Sequence, residues 1–196
     1  MAGKETGFIR GASWVKVYHA YFQSMVVEGL TQLAYDAMGP DTGFAAVARI
    51  IEKGAMKGFG VLLEEAKKAG IELQGIGLRE LLEYEVTCHR KAIEEMGVDF
   101  QLFEKVVPLE NGEGYALETG HCKYQELAKK NPTVCGVCVG LVTGILKRFG
   151  ISAQWVSHPR RKSQLCLRGE KPEYIVYRDP GVEFPRCRIV VEKLKC

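Results

Sequence analysis

Apolar residues recur at helical spacing along the first half of the chain, then switch to a period of two. Trp14, Val17, Tyr18, Tyr21, Phe22, Met25 and Val26 form one stripe, which Leu30, Leu33 and Ala34 continue as far as Gly39-Pro40. A second helix is expected after Asp41-Thr42, either of which can cap it, running through Val47, Ile50 and Ile51 towards Leu63 and ending near Gly70. Gly54, Gly58 and Gly60 weaken it and suggest a bend. A third helix spans Leu78 to Met96 and stops at Gly97. Beyond it the pattern predicts strands at Phe100 to Leu109 and Tyr115 to Thr119, joined by Asn111-Gly112-Glu113-Gly114, a hairpin signal. After a further helix come expected strands at Ser152 to Ser157, Ser163 to Arg168, Glu173 to Tyr177 and Cys187 to Glu192.

This order specifies an α+β fold, with N-terminal helices packed on a C-terminal antiparallel sheet and one central buried helix. The chain has 196 residues, 46% of them hydrophobic, which suits a single domain over 1–196. Its helical half is 1–97; hairpin, central helix and strand meander fill 98–196.

Composition excludes some partners. A net charge of +3 gives no electrostatic case for nucleic acid, and the run Arg160-Arg161-Lys162 reads as a solvated turn. No apolar stretch reaches the roughly 18 residues of a membrane span. The polar start, Met1 to Arg10, lacks the apolar centre of an export signal, so a cytoplasmic location is expected.

The helix after Asn131-Pro132 carries the densest information. Asn131 suits its cap, Pro132 its first position, and Gly150 its end. Gly136, Gly140 and Gly144 line one stripe, at about 1 kcal/mol each against alanine. Something must approach closely there: a subunit, a ligand, or another element of the same chain.

Cys135 and Cys138 form a C-x-x-C pair on the first turns of that helix, where amide dipoles favour thiolate. The seven cysteines are odd in number, so metal binding or thiol chemistry is preferred to a disulfide framework. Cys122, Cys135, Cys138 and Cys166 are the candidate ligands of zinc or another thiolate-bound metal. As nucleophiles the candidates are Cys122 beside His121, and Cys135. Free cysteines also simply fill cores.

Three segments carry a family likeness: Tyr115 to Glu126, with Cys122; the glycine-bearing stretch Cys135 to Gly150; and Leu165 to Val176, with Cys166 and Gly169. Together they resemble the 4-vinyl reductase (hydrocarbon-binding) domain family, related to the small TRAPP vesicle-tethering subunits. The resemblance covers about a third of the chain. It implies a domain, often dimeric, that binds a small hydrophobic or aromatic molecule between helices and sheet, with a structural zinc in some members. Two zinc ligands of those members have no counterpart here, where Ser163 and Glu173 or Tyr174 stand instead. A more distant likeness is to the aminothiazoline-carboxylate ring-opening hydrolases.

The expected function is therefore small-molecule binding or sensing by a homodimer. The ligand would lie against Phe59, Tyr84, Cys88, His89, Phe100 and Phe103, between the N-terminal helices and the hairpin. A cysteine-dependent hydrolase and a dimeric assembly scaffold are the alternatives. No nucleotide loop, H-E-x-x-H or serine elbow is present.

Overall fold

A computed structural model describes residues 12–68, 70, 73, 75–97, 99, 101–169 and 171–196, with the side chains of 12–14, 65, 89, 91, 92, 95 and 96 left aside. The helical part begins with α1, Ala12–Tyr21, which passes into a π-helical segment, Phe22–Leu30, and then α2, Thr31–Lys68. Gly39 interrupts α2 with φ 73° and ψ 177°, and Pro40 opens the next stretch. Glycine adopts that backbone without a Cβ penalty, and proline needs no N–H at a helix start. The break thus falls where Gly39-Pro40 placed it, while Gly54, Gly58 and Gly60 do not break the helix. Helix α3 is Leu78–Met96, stopped by Gly97 in a left-handed conformation.

Among the described residues five strands follow: β1 Lys105–Pro108, β2 Gly114–Thr119, β3 Ala153–Trp155, β4 Tyr174–Arg178 and β5 Cys187–Lys193. Their order is β1-β2-β5-β4-β3. The fold is α+β, as the sequence indicated, but the sheet is mixed, because β3 and β4 pair in parallel. That parallel pairing needs a crossover, which a 3-10 turn at Pro159–Arg161 and helix α6, Lys162–Leu167, provide. A strand was expected at Ser163 to Arg168. Instead His158 Nδ1 accepts the Arg160 N–H at 3.1 Å, Pro159 supplies a helical start, and only Leu165 of α6 is buried. Strand β1 is also shorter than expected. The Asp99 carboxylate accepts the Gln101 N–H at 3.0 Å, a local bond that competes with ladder pairing.

Helices α4, Gln125–Lys130, and α5, Cys135–Arg148, separate β2 from β3. Asn131 accepts the Thr133 N–H at 3.0 Å and caps the 3-10 turn Pro132–Val134 that leads into α5. Ten residues of α5 are buried, from Gly136 to Leu146, so it is the central helix. Its glycine stripe meets α2 of the same chain. A methyl group at Gly136 would lie 2.9 Å from the Phe44 carbonyl oxygen, one at Gly140 would overlap the Ala48 carbonyl, and one at Gly144 would lie 2.7 Å from the Ala55 Cβ. Two helix backbones in near contact therefore explain the stripe; it offers no surface to a subunit or a ligand.

Glu52 of α2 fastens this layer to the sheet. It accepts Lys147 Nζ at 2.6 Å and Trp155 Nε1 at 2.8 Å. Leu117, Cys187, Ile189 and Val191 point from the sheet into the main core, while Glu118, Arg188 and Glu192 occupy the alternate positions. No helix among the described residues is long and apolar enough to cross a membrane.

Candidate functional site

The turn after β2 and the start of β5 bring two thiols into contact, Cys122 and Cys187, and the start of α5 holds two more, Cys135 and Cys138, within electrostatic reach. Thr119 of β2 pairs with Cys187 of β5. Past Thr119 the chain turns, and the Cys122 N–H donates to the Pro185 carbonyl at 2.6 Å. This closes the two loops on each other and sets the Cys122 and Cys187 sulfurs in hydrogen-bond contact. Cys135 and Cys138 face the same region from α5, within electrostatic reach of Cys122.

The thiols differ in acidity because their surroundings differ. The hydrogen bond from Cys187 draws the Cys122 thiol below the usual range, against the opposing effect of burial; a backbone hydrogen bond from Tyr124 and the charge of Arg178 add to it. Cys187, as the donor, holds its proton more tightly. Burial lifts Cys135 to about 11 and raises Cys138 further. Cys122 is thus the most acidic thiol of the group.

Beside Cys135 opens a cavity of about 230 Å³, lined by Asp41, Phe44, Cys135, His158, Arg178 and Phe184 among others. Arg178, on β4, donates through Nη2 to the Val182 carbonyl at 2.8 Å and lies 4.6 Å above the centroid of the Phe184 ring. Its Nε is buried and has no hydrogen-bond partner among the described residues. A second cavity, an apolar groove of about 490 Å³, runs along the helical arm and is lined by Phe22, Ile50, Phe59, Leu62 and Leu141 among others.

These positions correct several sequence-based expectations. Cys166, on α6, is disulfide-bonded to Cys196, so its sulfur is committed away from Cys122, Cys135 and Cys138. Cys187 takes the fourth place, which neither spacing nor motif marked; only its strand register could bring it there. Residues as placed do not fit a zinc centre of Cys122, Cys135, Cys138 and Cys166, and among the described residues no three His, Cys, Asp or Glu side chains converge on one point as an ion requires. His121 is exposed, and its N–H and carbonyl are tied to the Thr119 hydroxyl rather than its ring to Cys122.

The expected ligand residues do not share one cavity. Phe59 lines the apolar groove, and Phe103 is sealed in the core at 1% exposure. Tyr84 and Cys88 are hydrogen-bonded one turn apart on α3, and burial with that bond lifts the Tyr84 phenol to about 12. Phe100 and the His89 side chain lie outside the described residues. Phe44 of α2 belongs to the aromatics of the helical half, but Arg178 and Phe184 were missed, because an arginine on a strand and a phenylalanine on a loop carry no motif.

Compared with known proteins, the chain matches no family model and no curated protein.

Proposed function

We propose that this protein binds or senses a small acid with an apolar or aromatic body, held in the cavity between Cys135, Phe44, Arg178 and Phe184. One observation carries the reading: a buried guanidinium nitrogen without a partner among the described residues, at a cavity that aromatic rings and a thiol share with His158 and with Asp41, whose carboxylate is engaged by Arg161 at 2.8 Å. Leaving a buried donor unmade costs about 1–3 kcal/mol, and more when it is charged. An incoming carboxylate removes that cost with a charge-assisted bond. A cavity of about 230 Å³ lies below the roughly 300–1,000 Å³ of drug-sized pockets, so the ligand is small: a benzoate or a short branched acid. The resemblance to the 4-vinyl reductase domain supports a binding role.

A thermal-shift and calorimetry series with benzoate, hydroxybenzoates and short 2-oxo acids tests this. At a hundredfold excess over Kd, about 2.7 kcal/mol of stabilisation is expected, lost in Arg178→Gln. Equal shifts from the corresponding neutral amides would reject the assignment to Arg178, and no shift from any acid would reject the site.

A second reading is favoured by the acidified Cys122 thiol. A cysteine-dependent hydrolase of the aminothiazoline-carboxylate type would use Cys122 as nucleophile and Arg178 as carboxylate anchor. Ring opening of such thiazolines, abolished in Cys122→Ser, is its readout.

A further inference from the structure

The placement of Cys187 goes beyond either reading. It is buried at the start of β5, hydrogen-bonded to Cys122, and borders a surface cavity of about 240 Å³ with Thr119, Gly120 and Arg186. Cys122 is itself half-buried, on a loop between β2 and α4. Within this pair the shared hydrogen bond favours the anion at Cys122 and the protonated thiol at Cys187. Cys135 and Cys138 hold their protons through burial, and Cys166 and Cys196 are bonded to each other. Facing groups are the Cys187 thiol from β5, the Tyr124 N–H ahead of α4, Arg178 from β4, and Cys135 and Cys138 from α5. Two carboxylates, Glu104 and Glu118, line the cavity that Cys187 borders, and both are engaged: Glu104 accepts from the Thr119 hydroxyl and the Gly120 N–H, and Glu118 is paired with Lys105 and Arg188. Thiolate character with access is what sets susceptibility to peroxide.

We propose that Cys122 and Cys187 are a hydroperoxide-reactive pair, in which Cys122 is oxidised and Cys187 resolves it. In the first step the Cys122 thiolate attacks the distal oxygen of the hydroperoxide. An S–O bond forms, the O–O bond breaks, and the alkoxide leaves and takes a proton from water, giving an alcohol and a Cys122 sulfenic acid. In the second step the Cys187 sulfur attacks the Cys122 sulfur. An S–S bond forms, the S–O bond breaks, and hydroxide leaves with the Cys187 proton as water. Two thiols lose two electrons in all, and the hydroperoxide gains them. The hydrogen bond that acidifies Cys122 also places its resolving partner, so a single contact serves both steps.

The test treats the full chain, reduced and freed of reductant, with one equivalent of hydrogen peroxide at pH 7. Free thiols are then blocked and disulfides mapped by mass spectrometry. A linked Cys122–Cys187 peptide is expected, distinguished by mass from Cys166–Cys196. In Cys187→Ser, which keeps a hydrogen-bond donor beside Cys122, dimedone should trap the sulfenic acid on Cys122 at least about tenfold faster than on Cys88. In Cys187→Ala, which removes the donor, that labelling should slow. The wild-type map stands without either variant. Absence of the Cys122–Cys187 peptide there overturns the pair, and dimedone labelling of Cys122 no faster than of Cys88 overturns the role of Cys122. Acid binding at Arg178 is measured separately on reduced protein, so the two proposals fail independently.

Discussion

Cys122 and Glu85 show how the environment of one residue outweighs its type. Both are titratable groups, and neither belongs to a C-x-x-C or other spaced ligand motif. At Cys122 the hydrogen bond from Cys187 favours the anion, against burial. Iodoacetamide should therefore alkylate it with a midpoint at lower pH than an ordinary cysteine, and Cys187→Ala should move that midpoint up. Unchanged midpoints in both proteins would remove the hydrogen bond as the cause. Glu85 on α3 is 3% exposed, and burial lifts its carboxyl from 4.5 to about 7. Below pH 4.5 the folded and unfolded chains are both protonated there. Between 4.5 and 7 only the unfolded chain releases its proton, so stability falls as pH rises and stays lower above that window. At about 1.36 kcal/mol per pH unit the penalty is about 3 kcal/mol. Denaturant titrations should show Glu85→Gln gaining on the wild type at pH 8 and losing that advantage at pH 4; the same difference at both would sink the argument.

Between elements, α2 and α5 show why helix propensity alone misleads. Phe44, Ala48 and Glu52 of α2 face Gly136, Gly140 and Gly144 of α5 with the same spacing of four, and the backbones meet. Gly140→Ala should improve propensity by about 1 kcal/mol, yet overpacking costs about 1–3 kcal/mol and must push apart two backbones. It should destabilise. Gly58 of α2 has nothing within 4 Å of an added Cβ, so Gly58→Ala should stabilise by up to about 1 kcal/mol. Urea midpoints that move in the same direction for both variants would contradict the packing assignment.

For the whole molecule, the arm formed by α1, the π-helical segment and α2 leaves Tyr21, Met25, Leu33, Ile50 and Val61 exposed. Large exposed apolar area marks an interaction surface, and twofold pairing is the commonest solution. Light scattering at micromolar protein should give twice the chain mass, falling to the monomer in Leu33→Lys; a wild-type monomer would reject the homodimer. The α5 stripe has no part in that prediction, since α2 covers it. The sequence by itself determined the helices, the Gly39-Pro40 break, the Asn131-Pro132 start of α5 and the β1–β2 hairpin, because capping, proline geometry and hydrophobic period act over a few residues. Even locally the reading failed at α6, where Leu165 and Leu167, two residues apart, match the period of a strand although the segment is helical. Only the tertiary structure decided which sulfurs meet. Cys187 is 65 positions from Cys122 in the chain, and its side chain reaches Cys122 through β2–β5 register and the Cys122–Pro185 bond. The cavity at Arg178 likewise draws on α2, α5, β4 and the loop after it. Contacts so distant in sequence leave no local pattern, because they depend on how whole elements pack rather than on the residues beside them.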